Sequence, residues 1–167
     1  PRAEALQTFS ALGFPTKKVE RYKYTDVAED FAPNYGIALT PLEVKNLPYC
    51  HRISEAPVDV TLYYNKLADR QDAVVALNTM LSVDALVIYV PRNTKVEHPI
   101  QISNVLKGEQ DTMVNRRILI ILEQCAEADI VITDKAVDQM HFLSNQVVEV
   151  FAGDGSHLNL YEVEETH

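Results

Sequence analysis

Apolar and polar residues change rhythm near position 84. Before it the spacing is helical and interrupted. Ala5, Leu6, Phe9 and Leu12 fall at helical intervals, Gly13 sits where a glycine ends a helix, and Pro15 forbids continuation. "TDVAEDF" (25–31) predicts a short helix, with Thr25 or Asp26 as N-cap and Asp26 and Glu29 at capping-box spacing. "APNYG" and "LTPLEV" are rich in turn formers. "VDVTLYY", Val58–Tyr64, alternates and predicts a strand. "DAVVALNTMLSV" predicts a helix with Val74, Leu77 and Leu81 on one face and Asp72 as its cap.

From Asp84 onward the texture is β. "ALVIYV", "PIQISNV", "RRILIIL", "ADIVIT", "QVVEVFA" and "HLNLYEV" are short strand-like runs joined by loops carrying Pro, Asn, Gly and Asp. Helical segments first and strands afterwards argue against an alternating βαβ plan. The runs also repeat. "VPRNTKVE" (90–97), "LEQCAEAD" (122–129) and "AGDGSHLN" (152–159) each follow an apolar run, contain a polar turn and lead into a second run. Val96, Ala128 and Leu158 occupy equivalent places, 32 and then 30 residues apart. Strand, tight turn and strand at that period fit a stacked parallel β-helix. The alternative is an antiparallel sandwich with evenly spaced hairpins. "ILIIL" predicts burial on both faces. Alternation in the last two runs predicts Glu149, Asn159 and Glu162 pointing outward.

Charge narrows the function classes. Lys and Arg number 15 against 24 Asp and Glu, a formal charge of −9, which disfavours a general phosphate binder. That weighs against a nucleic-acid role for the basic stretch "TKKVERYKYTDV" (16–27). No apolar run is long enough to span a membrane and the first residues lack a leader pattern, so the expectation is cytoplasmic. No phosphate-loop motif occurs, and "GDG" at 153–155 reads as a turn.

Candidate chemistry is sparse. His51, His98, His141, His157 and His167 show no ligand spacing, and the bland surface or hydrogen-bonding reading is preferred. Cys50 is followed by His51, and Cys125 sits in the turn "EQCAEA". A thiolate there could ligate iron, but a cluster takes about four ligands. The two cysteines read as ordinary free thiols. Paired acids could suggest glycoside chemistry: Asp134 and Asp138 are the nearest such pair in the rung region, and Glu162, Glu164 and Glu165 form an acidic end. Solvated charge is the simpler reading, so no catalytic, cofactor-binding or metal residue is assigned.

Four motifs, "VERYKYTDV", "ALNTML", "NRRILIILEQCAEADIVI" and "NQVVEVFAGDGSHLNLYEVEE", resemble in order and spacing the SufB/SufD family of iron–sulfur cluster assembly proteins, and its SufD branch in particular. The resemblance runs from about Gly13 to the last residue; Tyr22 stands where the family usually has Trp. It implies a mainly β fold, a right-handed parallel β-helix behind a small helical domain. The expected layout is 1–57 helical and irregular, 58–83 connecting, and 84–167 the start of the β-helix. It implies a scaffold or accessory subunit, not an enzyme, acting with a SufB-like protein and a SufC-like ATPase to build clusters for transfer to apo-proteins. This segment would bind no cofactor itself, the cluster belonging to the whole complex. Family members are more than twice as long, so the chain reads as an N-terminal fragment. The SufC contact and the cluster-linked cysteine and histidine lie further on, and none is carried over. Two alternatives stay open: a β-helical polysaccharide-active enzyme, and a homodimeric binding module pairing through an uncapped last rung. Within "ERYKYTD", Tyr22 and Tyr24 are expected to anchor the segment by packing.

Overall fold

In the computed structural model, residues 1–38, 47–137 and 139–165 are described. Helix α1, Arg2–Leu12, ends at Gly13, whose positive φ of 62° suits glycine and whose N–H donates to the Phe9 carbonyl. Helix α2, Val27–Asp30, follows Asp26, but the Asp26 side chain makes no cap hydrogen bond and pairs with Lys17 instead. Helix α3, Ala73–Leu81, is capped as its sequence predicts: the Asp72 carboxylate accepts from the N–H groups of Val74 and Val75. Its buried face is Ala73, Ala76, Leu77, Asn78 and Thr79; Val74 and Leu81 are only half-buried. "LTPLEV" lies outside the described residues.

The strand expected at Val58–Tyr64 does not form. Val60–Leu62 is instead a single 3₁₀ turn, capped by Asp59, which accepts from the Thr61 N–H. Such local side-chain bonds compete with a ladder. Val58, Val60 and Tyr63 drop onto a sheet face formed by Val87, Leu119 and Ile121, so the apolar alternation is satisfied without a strand partner.

Eight strands follow in chain order: β1 Gly36–Ile37, β2 Cys50–Arg52, β3 Leu86–Val90, β4 Ile100–Leu106, β5 Thr112–Leu122, β6 Glu127–Ala136, β7 Phe142–Ala152 and β8 His157–Glu165. They make two sheets. In the first, β3, β5 and β7 run parallel, with β1 parallel to the start of β5 and β2 antiparallel to β3. In the second, β4, β6 and β8 are all parallel. Each coil thus contributes one strand to each sheet: β3 with β4, β5 with β6, β7 with β8.

The repeat read from the sequence is the register of this stack. Thr112 lies beside Phe142 and Leu122 beside Ala152, while Glu127 lies beside His157. Lys95 bridges Glu127, so one position on, Val96, Ala128 and Leu158 form a single row. The turns stack too: Asn93, Cys125 and Gly155 all adopt positive φ, at 56°, 56° and 68°.

Two layers of apolar side chains hold the sheets. Between them lie Leu86, Ile88, Val90, Ile118, Ile120 and Leu122 from the first sheet, against Ile100, Ile102, Ala128, Ile130 and Ile132 from the second. On the far face of the first sheet, Val87, Leu119 and Ile121 are covered by the 53–63 region. "ILIIL" is therefore covered on both faces, Ile118–Leu122 being at most 3% exposed. Each such side chain contributes roughly 1.5–3 kcal/mol by leaving water.

Candidate functional site

The polar residues of three of the quoted motifs converge on that far face. Arg117 on β5 and Glu149 on β7 form an ion pair at 2.7 Å, their side chains 0% and 1% exposed. Glu149 was expected to point outward. It does face away from the inter-sheet core, but the loop at Asn65–Ala68 covers it, a cover the alternation could not reveal. Its carboxylate also accepts from the N–H groups of Asn65, Leu67 and Ala68. The Arg117 guanidinium donates to Asn78, Thr79 and Asn65 and lies 4.9 Å from the Tyr64 ring centre. From α3, the Asn78 amide donates to the carbonyls of Arg116 and Asn145, and Asn145 donates back to the Val74 carbonyl. Burial pushes the Glu149 carboxyl up, but Arg117 and the three backbone donors outweigh it and hold it below the usual range. This network ties the N-terminal region to the sheet, the Arg117 Nε being the one side-chain nitrogen or oxygen of the Arg117–Glu149 pair left without a partner.

A second polar group lies between the sheets. Arg116 reaches across from β5 to Asp134 on β6, which also accepts from Asn104 on β4; Arg116 donates to Ser144 as well. Burial pushes Asp134 up and Arg116 and Asn104 pull it down, so it stays below the ordinary carboxylate range. A cleft of about 830 Å³ opens here, lined by Leu86, Ile102, Leu106, Val114 and Arg116 among others. The Arg116 guanidinium in this cleft is engaged by Asp134 and Ser144, and Lys107 also lines it. Asp138, the other member of the proposed acid pair, lies outside the described residues. Glu162 corrects a second expectation. It shares the inward row of β8 with Leu160 and meets Gln146 across the gap at 3.2 Å, yet it is exposed. Asn159 does face away and bonds Asp129.

The basic stretch is a clasp on α3. The Tyr22 hydroxyl reaches both Asp72 oxygens, at 3.0 and 2.9 Å, and Arg21 pairs with Asp72 and Asp69. Tyr24 is 90% exposed, so it is no anchor; Lys23 merely lies over its ring. Burial first, and the bond to Asp72 second, push the Tyr22 phenol up to about 12. Its contribution to stability is thus intact below about pH 10 and lost as pH rises through its folded value. Tyr22→Phe is expected to lower stability by about 1.5 kcal/mol, because a charged acceptor loses its donor. Tyr24→Ala should change it by less than about 0.5 kcal/mol. Urea unfolding of both variants checks the contrast, and equal effects would contradict it.

The histidines and cysteines stay apart. His98, His141 and His157 are exposed, His51 is half-buried in β2, and His167 lies outside the described residues. The His141 ring and N–H meet Asp111, and its carbonyl accepts from the Thr112 N–H. Among the described residues no three His, Cys, Asp or Glu side chains are grouped to hold a metal ion. Both cysteines are free thiols, Cys50 buried and Cys125 exposed. Burial pushes Cys50 up to about 11, keeping it a protonated thiol. A thiol reagent in native buffer should label Cys125 alone, with Cys50 reacting only on unfolding; one-step labelling of both would contradict this placement.

Comparison with known families decides what these motifs belong to. A family model described as the SufBD protein N-terminal region matches residues 1–51 and 49–102. A second, described as SUF system FeS cluster assembly, SufBD core domain, matches residues 104–167. The chain belongs to the SufB/SufD family. No curated protein matched it. Membership supports a role in Suf iron–sulfur cluster assembly. In this SufB/SufD chain the two matches meet within β4, one strand after the change of texture at Asp84. No helix among the described residues is long and apolar enough to cross a membrane.

Sequence reasoning missed Asn78, Arg117 and Asn145 as the residues that join α3 to the sheet. The signal was there: a lone amide inside the apolar run "AVVALNTML" and an arginine directly before "ILIIL". Isolated polar residues in runs destined for burial demand partners.

Proposed function

We propose that this chain is a scaffold subunit of the SufD type, acting beside a SufB-like protein and a SufC-like ATPase while clusters are built for apo-proteins. The strand–turn–strand coils are then the first rungs of a right-handed parallel β-helix, in keeping with the handedness that parallel crossovers adopt. The observation carrying the reading is the ordered match of both family regions across the chain, joined to the structural use of its polar motif residues. Side chains committed to holding one region onto another suit a scaffold better than a reacting centre. The iron–sulfur cluster is cargo of the complex in this reading, and the ATPase supplies hydrolysis.

The test is genetic and biochemical. Disrupting the gene within these residues should lower iron–sulfur enzyme activities and leave the apo-proteins in place, with recovery on complementation. Unchanged activities would overturn the assignment. Separately, the 167-residue chain alone should fail to co-purify with the SufC-like ATPase. Co-purification would overturn the view that the ATPase contact lies elsewhere.

A further inference from the structure

Leu119 and Glu149 are register partners on β5 and β7 and face the same side of the first sheet. Leu119 is 0% exposed and packs under the apolar residues of the 53–63 region. The sheet therefore accepts an apolar side chain at this place, and the acid one coil on answers to something outside the sheet. It answers to the loop at Asn65–Ala68. Asn65 has a positive φ of 59°, a conformation that asparagine enters more readily than most residues. A left-handed residue within a turn aims nearby backbone N–H groups at one point, which makes a nest for an anion.

The donors are shared evenly between the two carboxylate oxygens. Oε2 accepts from the Asn65 N–H at 2.8 Å and from the Arg117 guanidinium at 2.7 Å. Oε1 accepts from the N–H groups of Leu67 at 2.8 Å and Ala68 at 3.1 Å. Two oxygens with two donors each, and one cation against one anion, describe a receptor for a planar monoanion. Contacts other than Glu149 hold its parts in place. The guanidinium also donates to Asn78, Thr79 and Asn65, with the Tyr64 ring against it. The loop backbone is fixed by the Tyr64 N–H on the Val60 carbonyl and the Lys66 N–H on the Tyr63 carbonyl.

We propose that the Asn65–Ala68 loop and Arg117 form a binding site for a small carboxylate, which the chain fills with its own Glu149. Glu149 acts as a tethered ligand: β7 delivers it, and its delivery closes the N-terminal region onto the sheet. The atoms that Glu149→Ala removes, one methylene and the carboxylate, are those of acetate less a hydrogen. The vacated site therefore takes free acetate. The inference stands on this donor geometry and is independent of the cluster-assembly role.

Urea unfolding of E149A in sodium acetate and in sodium chloride, at equal ionic strength and neutral pH, tests it. At roughly 0.1 M acetate the unfolding equilibrium constant of E149A should be about tenfold lower than in chloride, as mass action gives for a ligand at ten times its dissociation constant. The parent chain, whose site is filled, should show no such difference. Nor should E149Q, which fills the site with an amide, or R117M/E149A, which lacks the cation. If E149A does not fold in chloride, acetate should restore its circular dichroism to that of the parent chain. Identical behaviour of E149A in the two salts, folded or unfolded, would overturn the proposal. An acetate response as large in the parent chain, E149Q or R117M/E149A would overturn it equally, since the effect would then belong to the salt and not to the site.

Discussion

Replacing Glu149 with alanine is expected to destabilise the chain by about 3–5 kcal/mol, because it strips the partner from a fully buried guanidinium. Arg117 and Glu149 are shielded from water, so neither charge can be solvated once the other is gone. The usual remedy is to replace both members of such a pair with apolar residues of similar volume. Here R117M/E149L should recover little. Glu149 also holds the N–H groups of Asn65, Leu67 and Ala68, and these would be left buried without an acceptor. Urea unfolding across the full double-substitution cycle gives the coupling, and a double variant as stable as the parent chain would contradict this account.

The pH dependence carries the same information with a definite sign. In the parent chain Glu149 is held below the ordinary glutamate range, so the pair stabilises fully above about pH 4.5 and is lost as pH falls through the lowered folded value. In R117M the lowering weakens, because only the three backbone donors then oppose burial, so the variant should lose less stability than the parent on acidification. Melting temperatures of both proteins from about pH 7 down to about pH 2.5, through the window below the ordinary glutamate value, check it, and parallel curves would rule the pair out as the source.

Asn78→Ala should cost about 3 kcal/mol, and the loss should be local. Asn78 is fully buried and joins α3 to both β5 and β7 through its amide, while its oxygen accepts from Arg117 and Ser82. Removing it leaves two buried carbonyls without that donor. The apolar layer between the sheets is untouched. Hydrogen exchange should therefore accelerate at the amides of Ala73–Leu81 and of the loop at Asn65–Ala68 while Ile118–Leu122 stay protected. Uniform acceleration throughout would show that helix and sheets unfold as one unit.

Much of this was legible in the sequence, and the misses have physical reasons. The equivalence of Val96, Ala128 and Leu158 was visible because a parallel stack repeats its inward residues at a fixed interval. The Asp72 cap was visible because capping is local. Glu149 was misread because alternation reports which side a residue faces and says nothing about what covers that side. Glu162 was misread because a charged residue in an alternating run looks outward, whereas the register places it on the row of Leu160. Tyr22 and Tyr24, two positions apart, behave oppositely because their burial is decided by α3, some 50 residues away along the chain.

The distance between Asn65 and Glu149 also sets a clock. The two are 84 residues apart in sequence and meet directly. At about 5–20 residues per second, the ribosome needs roughly 4–17 seconds to pass from one to the other. Throughout that interval the N-terminal region is already made but lacks the carboxylate that closes its loop at Asn65–Ala68. Arg117 emerges without its acid, and the apolar face of Val87, Leu119 and Ile121 waits for its final neighbours. The last described strands therefore seal a joint whose first half was synthesised well before, and a nascent chain paused between them would present that unfinished face to the cell.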